Sequence, residues 1–362
     1  MSRATLSRYI TGRVLRGIFI AFLIVTSIIA LVDYVEASRN IGADGDLSPL
    51  ELLILTGLKV PKLIEQTIPF VVLFGIMGAL SGMNKRSELT VMRAAGLSAW
   101  RFLRPALIVT TLIGIFWSTV VNPLSSYMMG EYDARAAKIL ASTQSNEIWL
   151  REGSESAQRV IQAESLDLQS KRLEGAIFYE MGIEADGTTV FERRFDADTA
   201  VLLTPGYWTL KDVIENAPGE ETQFANELTL TTSIDIEDLK EQSGQQVAPP
   251  FWAIQDAIEA NEKAGFSARD LRLQLQKLLA LPVLLVAMTF IGASVSMHMI
   301  RSGGTLRLLI MGASLGFGVF FADSVITAFG EVAVLPVFFA AWTCPILVLM
   351  LSIAHLAKIE DG

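Results

Sequence analysis

The amino-acid sequence predicts an integral membrane protein with six transmembrane α-helices and an inserted β-sandwich or jelly-roll domain. Of its 362 residues, 51% are hydrophobic and only 19% are charged, whereas a soluble chain carries about a quarter charged residues. The apolar residues are concentrated towards both ends of the chain. We therefore assign residues 1–130 to the first three membrane helices, residues 131–266 to the inserted domain and residues 267–362 to the last three membrane helices.

Six stretches of the sequence are apolar and long enough, or nearly so, to cross a hydrocarbon layer of about 30 Å, which takes roughly 20 helical residues. A buried helix of a large soluble protein can mimic one such stretch, but six in one chain make that alternative untenable. The first stretch follows four arginines, as in a signal peptide, but its length and the lack of a small-residue cleavage site predict an uncleaved anchor. The predicted spans are residues 17–32, 66–84, 105–130, 278–300, 308–330 and 332–357.

The distribution of basic residues predicts the orientation of these spans. Lysine and arginine are frequent in the amino-terminal tail and in the loop after the second span, and the loop after the fourth span is also basic. The loop at 38–50, in contrast, has only Arg39 beside Asp44 and Asp46. Because basic loops stay in the cytoplasm, both termini are predicted to be cytoplasmic. The inserted domain is then predicted to lie outside the cytoplasm, which in a Gram-negative bacterium means that it is periplasmic and that the chain is a multi-pass protein of the inner membrane.

The inserted domain is acidic and carries the pattern of β-strands. Residues 131–266 contain 26 Asp and Glu against 11 Lys and Arg, a net charge of −15, and the remainder has a net charge of +6. Neither part has the basic stripe of a nucleic-acid-binding protein. Between 142 and 240, apolar and polar residues alternate, most clearly at 228–236. Several short strands with no helical period between them indicate a β-sandwich or jelly roll.

The sequence contains no motif for catalysis, for a metal ion or for a bound cofactor. A P-loop is excluded because the Gly-Lys dipeptide does not occur, and neither HExxH nor CxxC is present. The two histidines, His298 and His355, are remote from each other in sequence and do not make a catalytic pair. Cys344 is the only cysteine, so no disulfide can form within the chain. We therefore predict a protein that is not an enzyme.

The loop after the second span contains a short predicted helix. Ser87 is placed to cap it, Glu88 favours the positive end of its dipole, and Gly96 can end it. Leu89 and Met92 then share one face of the helix in a loop that is otherwise charged. One interpretation is an interfacial helix that lies on lipid. The other is a docking helix that presents its apolar face to a cytoplasmic partner.

Ionisable residues near the ends of the spans are further candidates, because a charge at the bilayer centre costs about 2.5–3.5 kcal/mol. Lys62 follows a Val-Pro pair at which the second membrane helix is predicted to begin, and its ammonium is predicted to face a lumen. Asp33, Glu36 and Lys59 are interpreted as residues that pair with one another or reach the membrane interface. Asp323, inside the fifth span, is interpreted as a hydrogen-bonding anchor.

Four segments carry a family resemblance: Leu31-Val32-Asp33, Val60-Pro61-Lys62, Arg86-Ser87-Glu88-Leu89-x-Val91-Met92-x-Ala94-x-Gly96, and Gly316-Phe317-Gly318…Asp323…Phe329-Gly330. They resemble the LptF/LptG permeases of lipopolysaccharide export, and the resemblance extends over essentially the whole chain. The loop segment is fairly specific, whereas the patterns within the spans are less so. The residues around the loop and the Val-Asp pattern that closes the first span resemble the G-type subunit more than the F-type.

The resemblance implies one permease half of an ATP-driven exporter. Such a half pairs with an LptF-type permease, so that twelve helices surround a lateral cavity, and an LptB-type ATPase dimer binds on the cytoplasmic side. The ATPase binds the nucleotide, so this chain needs no cofactor of its own. Lipopolysaccharide enters the cavity from the membrane and is passed to LptC-type and LptA-type periplasmic proteins.

The resemblance also implies roles for particular residues. The loop helix at 86–97 corresponds to a coupling helix that contacts the ATPase, and Lys62 corresponds to a basic position that meets lipopolysaccharide phosphates. At other basic positions of the family this chain has different residues. They are Ala30 and Glu36 around the end of the first span, with Arg39 nearby, and Gly130 and Asp133 after the third span, with Arg135 and Lys138 nearby. The implied coupling residues are Arg86, Ser87, Glu88, Leu89, Met92 and Gly96, and the implied lipopolysaccharide-binding residues are Lys62, Arg39, Arg135, Phe70, Phe74, Phe317, Phe320 and Phe321.

Two other classes of protein remain as alternatives. An ion-coupled secondary transporter needs ionisable groups near the middle of the membrane and two related halves, and the sequence shows charges only near the ends of its spans and no internal repeat. A membrane scaffold that transports nothing needs neither a cavity nor a docking helix, and the loop helix argues against it.

Overall fold

The structure is a computed structural model that describes residues 3–40, 48–143, 148–153, 157–167, 170–183, 189–203, 206–219, 222–232, 234, 249–263, 267–298 and 305–361. The chain divides into two compact units, one formed by Met1–Tyr132 with Ala248–Gly362 and the other by Asp133–Val247. The segment 249–263, which the sequence analysis placed in the inserted domain, therefore belongs to the first unit. The predicted acidic loop around Asp44 and Asp46 lies outside the described residues.

Nine α-helices are present among the described residues, and a π-helical turn, Trp117–Val121, joins the fourth to the fifth. Six helical segments of this part of the chain are long and apolar enough to cross a membrane, which confirms the six predicted spans. They are α1, α2, α4 continued through the π-helical turn into α5, α7, α8 and α9. The helices are α1 (Arg3–Asn40), α2 (Pro49–Lys85), α3 (Glu88–Ala94), α4 (Ala99–Phe116), α5 (Asn122–Thr143), α6 (Ile254–Lys263), α7 (Arg269–His298), α8 (Thr305–Glu331) and α9 (Val337–Asp361).

Helix α2 begins at Pro49, so the prediction that this helix starts at the Val-Pro pair before Lys62 is wrong. The start is fixed by a capping box, in which the Glu51 backbone N–H donates to Ser48 Oγ at 3.3 Å and the Ser48 backbone N–H donates to Glu51 Oε2 at 2.9 Å. Pro61 lies inside the helix, which is tolerated in a membrane helix that neighbouring helices cover. Lys62 consequently lies on the side of a long continuous helix rather than at its start.

The first unit is built around α2 and α7. The most apolar stretch of α7 is 61% buried within the chain and that of α2 is 56% buried, whereas the figure is only 11% for α8 and 17% for α1. Small residues permit the close helix contacts: a Cβ on Gly75 of α2 would lie 2.5 Å from Ile18 Cα of α1, and one on Gly114 would lie 2.6 Å from Pro282 Cα. Long apolar faces of α1 and α8 are therefore not covered by this chain and are available for contact with lipid or with another chain.

The second unit contains an antiparallel β-sheet, which confirms the predicted β class of the inserted domain. The described strands follow the order β1-β2-β4-β5-β6-β7, and β3 pairs with β4. Trp208 and Leu210 of β6 are buried with Phe178 of β4 in the core, and Leu228 and Leu230 of β7 pack against it, as the alternation predicted. The strands are β1 (Ile148–Gly153), β2 (Ala157–Ala163), β3 (Ser165–Asp167), β4 (Arg172–Ile183), β5 (Thr189–Leu203), β6 (Tyr207–Asn216) and β7 (Gln223–Thr231).

Side chains connect the first strands of this sheet to the end of the last one. The Arg159 guanidinium of β2 donates to the Thr231 carbonyl oxygen at 2.7 Å and forms ion pairs with Glu152 and Glu180. The Thr232 hydroxyl donates to Glu152. The sheet therefore curls until its two ends meet through side chains, which is the partly closed form expected of a jelly-roll-like domain.

We expect Arg159→Ala to destabilise the second unit by about 2–3 kcal/mol, because it leaves two largely buried carboxylates without their cation. The Glu152 side chain is only 6% exposed and the Arg159 side chain 15% exposed. The matched control is Arg193→Ala, since Arg193 pairs with Glu215 but is 51% exposed, and exposed pairs contribute about 0–1 kcal/mol. Thermal unfolding of the purified full chain measures both variants, and equal losses would contradict the prediction.

Candidate functional site

A cavity of about 540 Å³ lies in the first unit, between helices α2, α7, α8 and α9. Its volume is in the range of sites that hold small molecules or parts of larger ones. Its walls are mostly apolar, but they also carry two lysines, Lys62 and Lys277, each beside a carboxylate. The cavity therefore suits a molecule with both an apolar portion and a negatively charged group.

Three phenylalanine rings form an aromatic cluster at this cavity. The ring of Phe70 on α2 lies 6.4 Å from that of Phe317 and 5.9 Å from that of Phe320, both on α8. The Phe317 and Phe320 rings are 6.3 Å apart. Phe70 and Phe320 line the cavity directly, and Phe317 supports them while remaining 66% exposed. The structure thus brings three of the five predicted phenylalanines together.

The other two predicted phenylalanines do not line the cavity. Phe321 is 67% exposed, because neighbouring residues on a helix point about 100° apart and Phe320 occupies the inward position. Phe74 lies one turn beyond Phe70 and packs towards Gly312 of α8, where a Cβ would be 3.8 Å from its Cε1. Phe74 and Phe321 are thus not among the residues that line this cavity, and their roles in lipid binding stay predictions.

Lys62 faces the cavity, at one end of a group of buried polar contacts. Its ammonium donates to Glu65 Oε2 at 3.0 Å, and both residues line the cavity. Glu65 Oε1 accepts a hydrogen bond from the Asn122 side chain at 2.7 Å. The Lys62 side chain is 31% exposed and the Glu65 side chain 15% exposed. The lysine is thus accessible from the cavity while its carboxylate partner is held by the protein.

A second lysine faces the same cavity from α7. Lys277 forms an ion pair with Asp323 of α8 at 3.1 Å and donates to Thr327 Oγ1 at 3.1 Å. Asp323 is therefore an ion-pair partner as well as an anchor. Lys277 was not among the predicted site residues, because the fourth span was predicted to start at residue 278. The helix starts at Arg269, so Lys277 is an ionisable residue within a membrane helix, which is a signal for a functional role.

The remaining predicted basic residues lie elsewhere. Arg39 is exposed at the end of α1 and is not among the residues that line the cavity. Arg135 is exposed on α5, in the second unit. Their roles in lipid binding stay predictions. The expected pairing of interface charges is confirmed for Lys59 and Asp33, since Lys59 bonds to the buried Asp33 at 2.7 Å and lies over the Tyr132 ring at 5.9 Å.

The predicted loop helix is present as α3, but its cap and its faces differ from those predicted. Ser87 adopts a left-handed backbone conformation with φ of +59° and its side chain makes no capping hydrogen bond. Leu89 and Met92 are buried against the membrane helices, at 2% and 9% exposure. The prediction that they form exposed apolar contacts for a partner is therefore wrong. Val91, which is 66% exposed, is the apolar residue that α3 presents outward.

Polar contacts hold the start of α3 to α1. The Tyr9 hydroxyl donates to Glu88 Oε2 at 2.8 Å, and the Arg13 guanidinium lies 3.7 Å from Glu88 Oε1. The Arg13 Nε also donates to the Tyr9 hydroxyl at 3.0 Å. Glu88 was predicted to contact the ATPase. Within this chain it joins α3 to the first membrane helix.

The other end of the loop is held by the last membrane helix. Glu360 of α9 accepts the backbone N–H of Ala99 with both carboxylate oxygens, at 2.7 and 3.0 Å, and so caps α4. Ser98, the cap residue by position, makes no side-chain capping bond. Arg93 of α3 lies 3.9 Å from Glu360 Oε2. Because these contacts join α3 to both α1 and α9, a movement of α3 is transmitted to both membrane helices.

Among the described residues no group of three or more His, Cys, Asp or Glu is placed to hold a metal ion. The fold and the site define a multi-pass membrane protein with an inserted β-domain, a cavity that carries two lysines in a mostly apolar wall, and a short helix attached to the first and last spans.

Comparison with known proteins places this architecture in a family. The family described as lipopolysaccharide export system permease LptF/LptG matches residues 8–358. The chain therefore belongs to the LptF/LptG family, which confirms the predicted resemblance, and it is a multi-pass inner-membrane protein. The match covers both membrane parts and the inserted β-domain.

Individual relatives match over shorter segments. The lipopolysaccharide export system permease protein LptG of Haemophilus influenzae is 33% identical over 117 residues, covering 30% of this chain and 32% of the relative. LptG of Escherichia coli strain K12 is 29% identical over 157 residues, covering 41% and 42%. LptF of the same strain is 31% identical over 106 residues, covering 27% and 28%. The chain thus spans between about a quarter and two fifths of the length of these relatives.

Proposed function

We propose that this chain is the G-type permease subunit of an ABC transporter that extracts lipopolysaccharide from the inner membrane. The observation that carries the proposal is the cavity between α2, α7, α8 and α9, which combines an aromatic wall with two accessible lysines. Lipopolysaccharide combines several acyl chains with anionic phosphate groups. The apolar wall can bind the acyl chains, and the lysines can form charge-assisted hydrogen bonds with the phosphates.

The energetics of extraction explain why this chain needs an energy source. Each acyl CH₂ moved from a bilayer into water costs about 0.8 kcal/mol, so a lipid with several chains does not leave the membrane spontaneously. We propose that an LptB-type ATPase dimer supplies the work and binds the nucleotide, so that this chain carries no cofactor. In this proposal the ATPase engages α3, on which Val91 faces outward, together with the exposed Arg86 that precedes the helix.

The orientation and the partners follow from the same proposal. In this proposal the end of the first unit that carries α3 lies in the cytoplasm together with both termini, and the basic residues around α3 and in the amino-terminal tail support this orientation. The β-domain is then periplasmic and passes lipopolysaccharide to LptC-type and LptA-type proteins. The apolar faces of α1 and α8, which this chain leaves largely uncovered, are proposed to contact an LptF-type permease that completes the cavity.

Site-specific photocrosslinking tests the proposal. A photoreactive phenylalanine analogue at position 320, which lines the cavity, is expected to crosslink lipopolysaccharide in membranes, and ATP is expected to reduce the crosslink as the lipid is expelled. The matched control is position 321, the next residue on α8, which points away from the cavity and is expected to crosslink less and without a response to ATP. Equal and ATP-independent crosslinks at the two positions would overturn the proposal.

We expect Lys62→Ala to weaken lipopolysaccharide crosslinking at position 320 about tenfold. A hydrogen bond to a charged group contributes roughly 1.5–3 kcal/mol, and the lower figure applies here because Lys62 is 31% exposed. Lys62→Arg retains the charge and is expected to retain most of the crosslinking. Unchanged crosslinking in Lys62→Ala, with the protein folded, would remove Lys62 from the binding site.

A further inference from the structure

A continuous chain of polar contacts leads from the cavity to the chain segment that follows the inserted domain. Lys62 donates to Glu65 Oε2 at 3.0 Å, Asn122 Nδ2 donates to Glu65 Oε1 at 2.7 Å, and the Phe251 backbone N–H donates to Asn122 Oδ1 at 2.9 Å. These residues come from α2, from the start of α5 and from the segment just before α6. All four belong to the first unit.

The chemistry of the groups fixes the direction of each bond. A carboxylate only accepts and a backbone N–H only donates, so the Asn122 amide must present its NH₂ to Glu65 and its oxygen to Phe251. Asn122 is fully buried, and a planar amide bound at both ends moves as one piece. A displacement of Glu65 therefore reaches the Phe251 N–H directly.

Glu65 has an alternative partner within reach. The Ser125 hydroxyl lies 3.4 Å from Glu65 Oε2, the same oxygen that accepts from Lys62, and it also donates to the Asn122 carbonyl oxygen at 2.9 Å. If the lysine leaves, the hydroxyl can turn to the carboxylate, so that Glu65 Oε2 keeps a donor while Asn122 still donates to Oε1. The carboxylate can thus occupy two positions, one paired with Lys62 and one drawn towards Ser125.

The segment after the inserted domain is attached to the third span at a second point. The Trp252 indole N–H donates to the Thr119 carbonyl oxygen at 2.9 Å. Thr119 belongs to the π-helical turn, Trp117–Val121, and a π-helical turn frees backbone carbonyls and is frequent at functional sites. The attachment of residues 249–253 thus depends on this turn and on Asn122, the residue that follows it.

We propose that Glu65 and Asn122 are positioning residues that report the occupancy of the cavity to the segment 249–253. When an anionic headgroup takes Lys62, Glu65 shifts towards Ser125, the Asn122 amide turns with it, and the Phe251 N–H loses its acceptor. The segment next to the inserted domain is thereby loosened when the cavity is filled. This inference rests on the proposed function, because it takes the headgroup phosphate of lipopolysaccharide as the anion.

Hydrogen exchange of the full-length chain, purified with the chains that accompany it from the membrane, measures this response. The peptide that contains Phe251 reports the bond to Asn122, and loss of one hydrogen bond changes an opening equilibrium about fivefold. We expect lipopolysaccharide to accelerate exchange at Phe251 by about threefold or more, and a zwitterionic phospholipid to have no such effect.

Two variants cut the chain of contacts at different places. Glu65→Gln can still accept from Asn122 but cannot form an ion pair with Lys62, so exchange at Phe251 should stay slow and should no longer respond to lipopolysaccharide. Asn122→Leu removes the acceptor itself, so exchange should be about fivefold faster from the start and equally unresponsive. The matched control is Thr119→Val, which removes only the bond from its side-chain hydroxyl to Ile115 and should retain the response.

The outcomes separate this inference from the proposed function. Binding of lipopolysaccharide to the wild-type chain without a change in exchange at Phe251 overturns the inference and leaves the proposed function intact. Absence of any lipopolysaccharide binding overturns both. A retained response in Glu65→Gln also overturns the inference, because it shows that the signal reaches Phe251 by another route.

Discussion

Replacement of Glu88 by lysine is expected to abolish most lipid export while the chain still folds and inserts. In the wild-type chain Glu88 accepts from Tyr9 and lies 3.7 Å from Arg13. The substitution converts the attraction to Arg13 into repulsion and removes the carboxylate that accepts from the Tyr9 hydroxyl. The equilibrium therefore shifts away from the state in which α3 is held against α1.

The measurement is lipopolysaccharide release from proteoliposomes that contain the co-purified ATPase, with ATP hydrolysis recorded in parallel. We expect hydrolysis to continue and release to fall, because the ATPase then moves a helix that is no longer attached to the first span. Tyr9→Phe, which removes only the hydroxyl, is expected to have a several-fold effect, since one neutral-to-charged hydrogen bond is lost. Arg101→Glu, on an exposed residue near the start of α4, controls for a change of loop charge.

A reciprocal exchange distinguishes attachment within the chain from direct contact with the ATPase. The double variant Arg13→Glu with Glu88→Arg restores an ion pair of opposite polarity between α1 and α3. If Glu88 acts through Arg13, this double variant is expected to recover most of the export lost in Glu88→Lys. If it remains as defective as Glu88→Lys, then Glu88 acts on the partner and its contact with α1 is incidental.

The sequence was sufficient for the architecture because the membrane imposes a strong physical constraint. A span must satisfy its backbone internally and must be apolar over a set length, and those two requirements are visible in hydropathy alone. The alternation at 228–236 likewise predicted the inward positions of Leu228 and Leu230. Ile236, in the same pattern, lies outside the described residues.

Faces and helix starts were predicted less well, because they depend on contacts between distant parts of the chain. Leu89 and Met92 were predicted as docking residues since they share one helical face, but that face is covered by the chain's own membrane helices. Nothing in a loop sequence distinguishes burial against the chain itself from burial against a partner. In the same way, a proline before Lys62 indicated a helix start, and the distant capping box at Ser48 decided otherwise.

The polar contacts of the cavity were the least predictable feature. Glu65 was regarded as one of several charges at the start of a span, because its partner Asn122 is 57 residues away. Lys277 and Asp323 were separated by a span boundary drawn at residue 278, and only the packing of α7 against α8 brings them together. Hydropathy identifies charges that are costly in a membrane, but pairing them requires the tertiary structure.

Removal of Asp323 from its ion pair with Lys277 is expected to destabilise the first unit. Helix α8 is the least buried of the spans, and this ion pair attaches it to α7. Asp323→Ala leaves Lys277 beside a cavity in a membrane helix, with Thr327 as its remaining side-chain partner among the described residues. Breaking such a pair from one side costs about 2–3 kcal/mol, less than the 3–5 kcal/mol of a fully buried pair because the lysine is 38% exposed.

The double variant Lys277→Met with Asp323→Leu separates the structural role of this pair from its role in binding. Replacing both members of an ion pair by apolar residues of similar size is often neutral or stabilising, so thermal stability should return to near the wild-type value. Lipopolysaccharide crosslinking at position 320 should nevertheless remain about tenfold weaker, because one of the two cavity lysines is gone. If crosslinking recovers together with stability, then Lys277 only attaches α8 to α7, and the headgroup is bound by Lys62 without it.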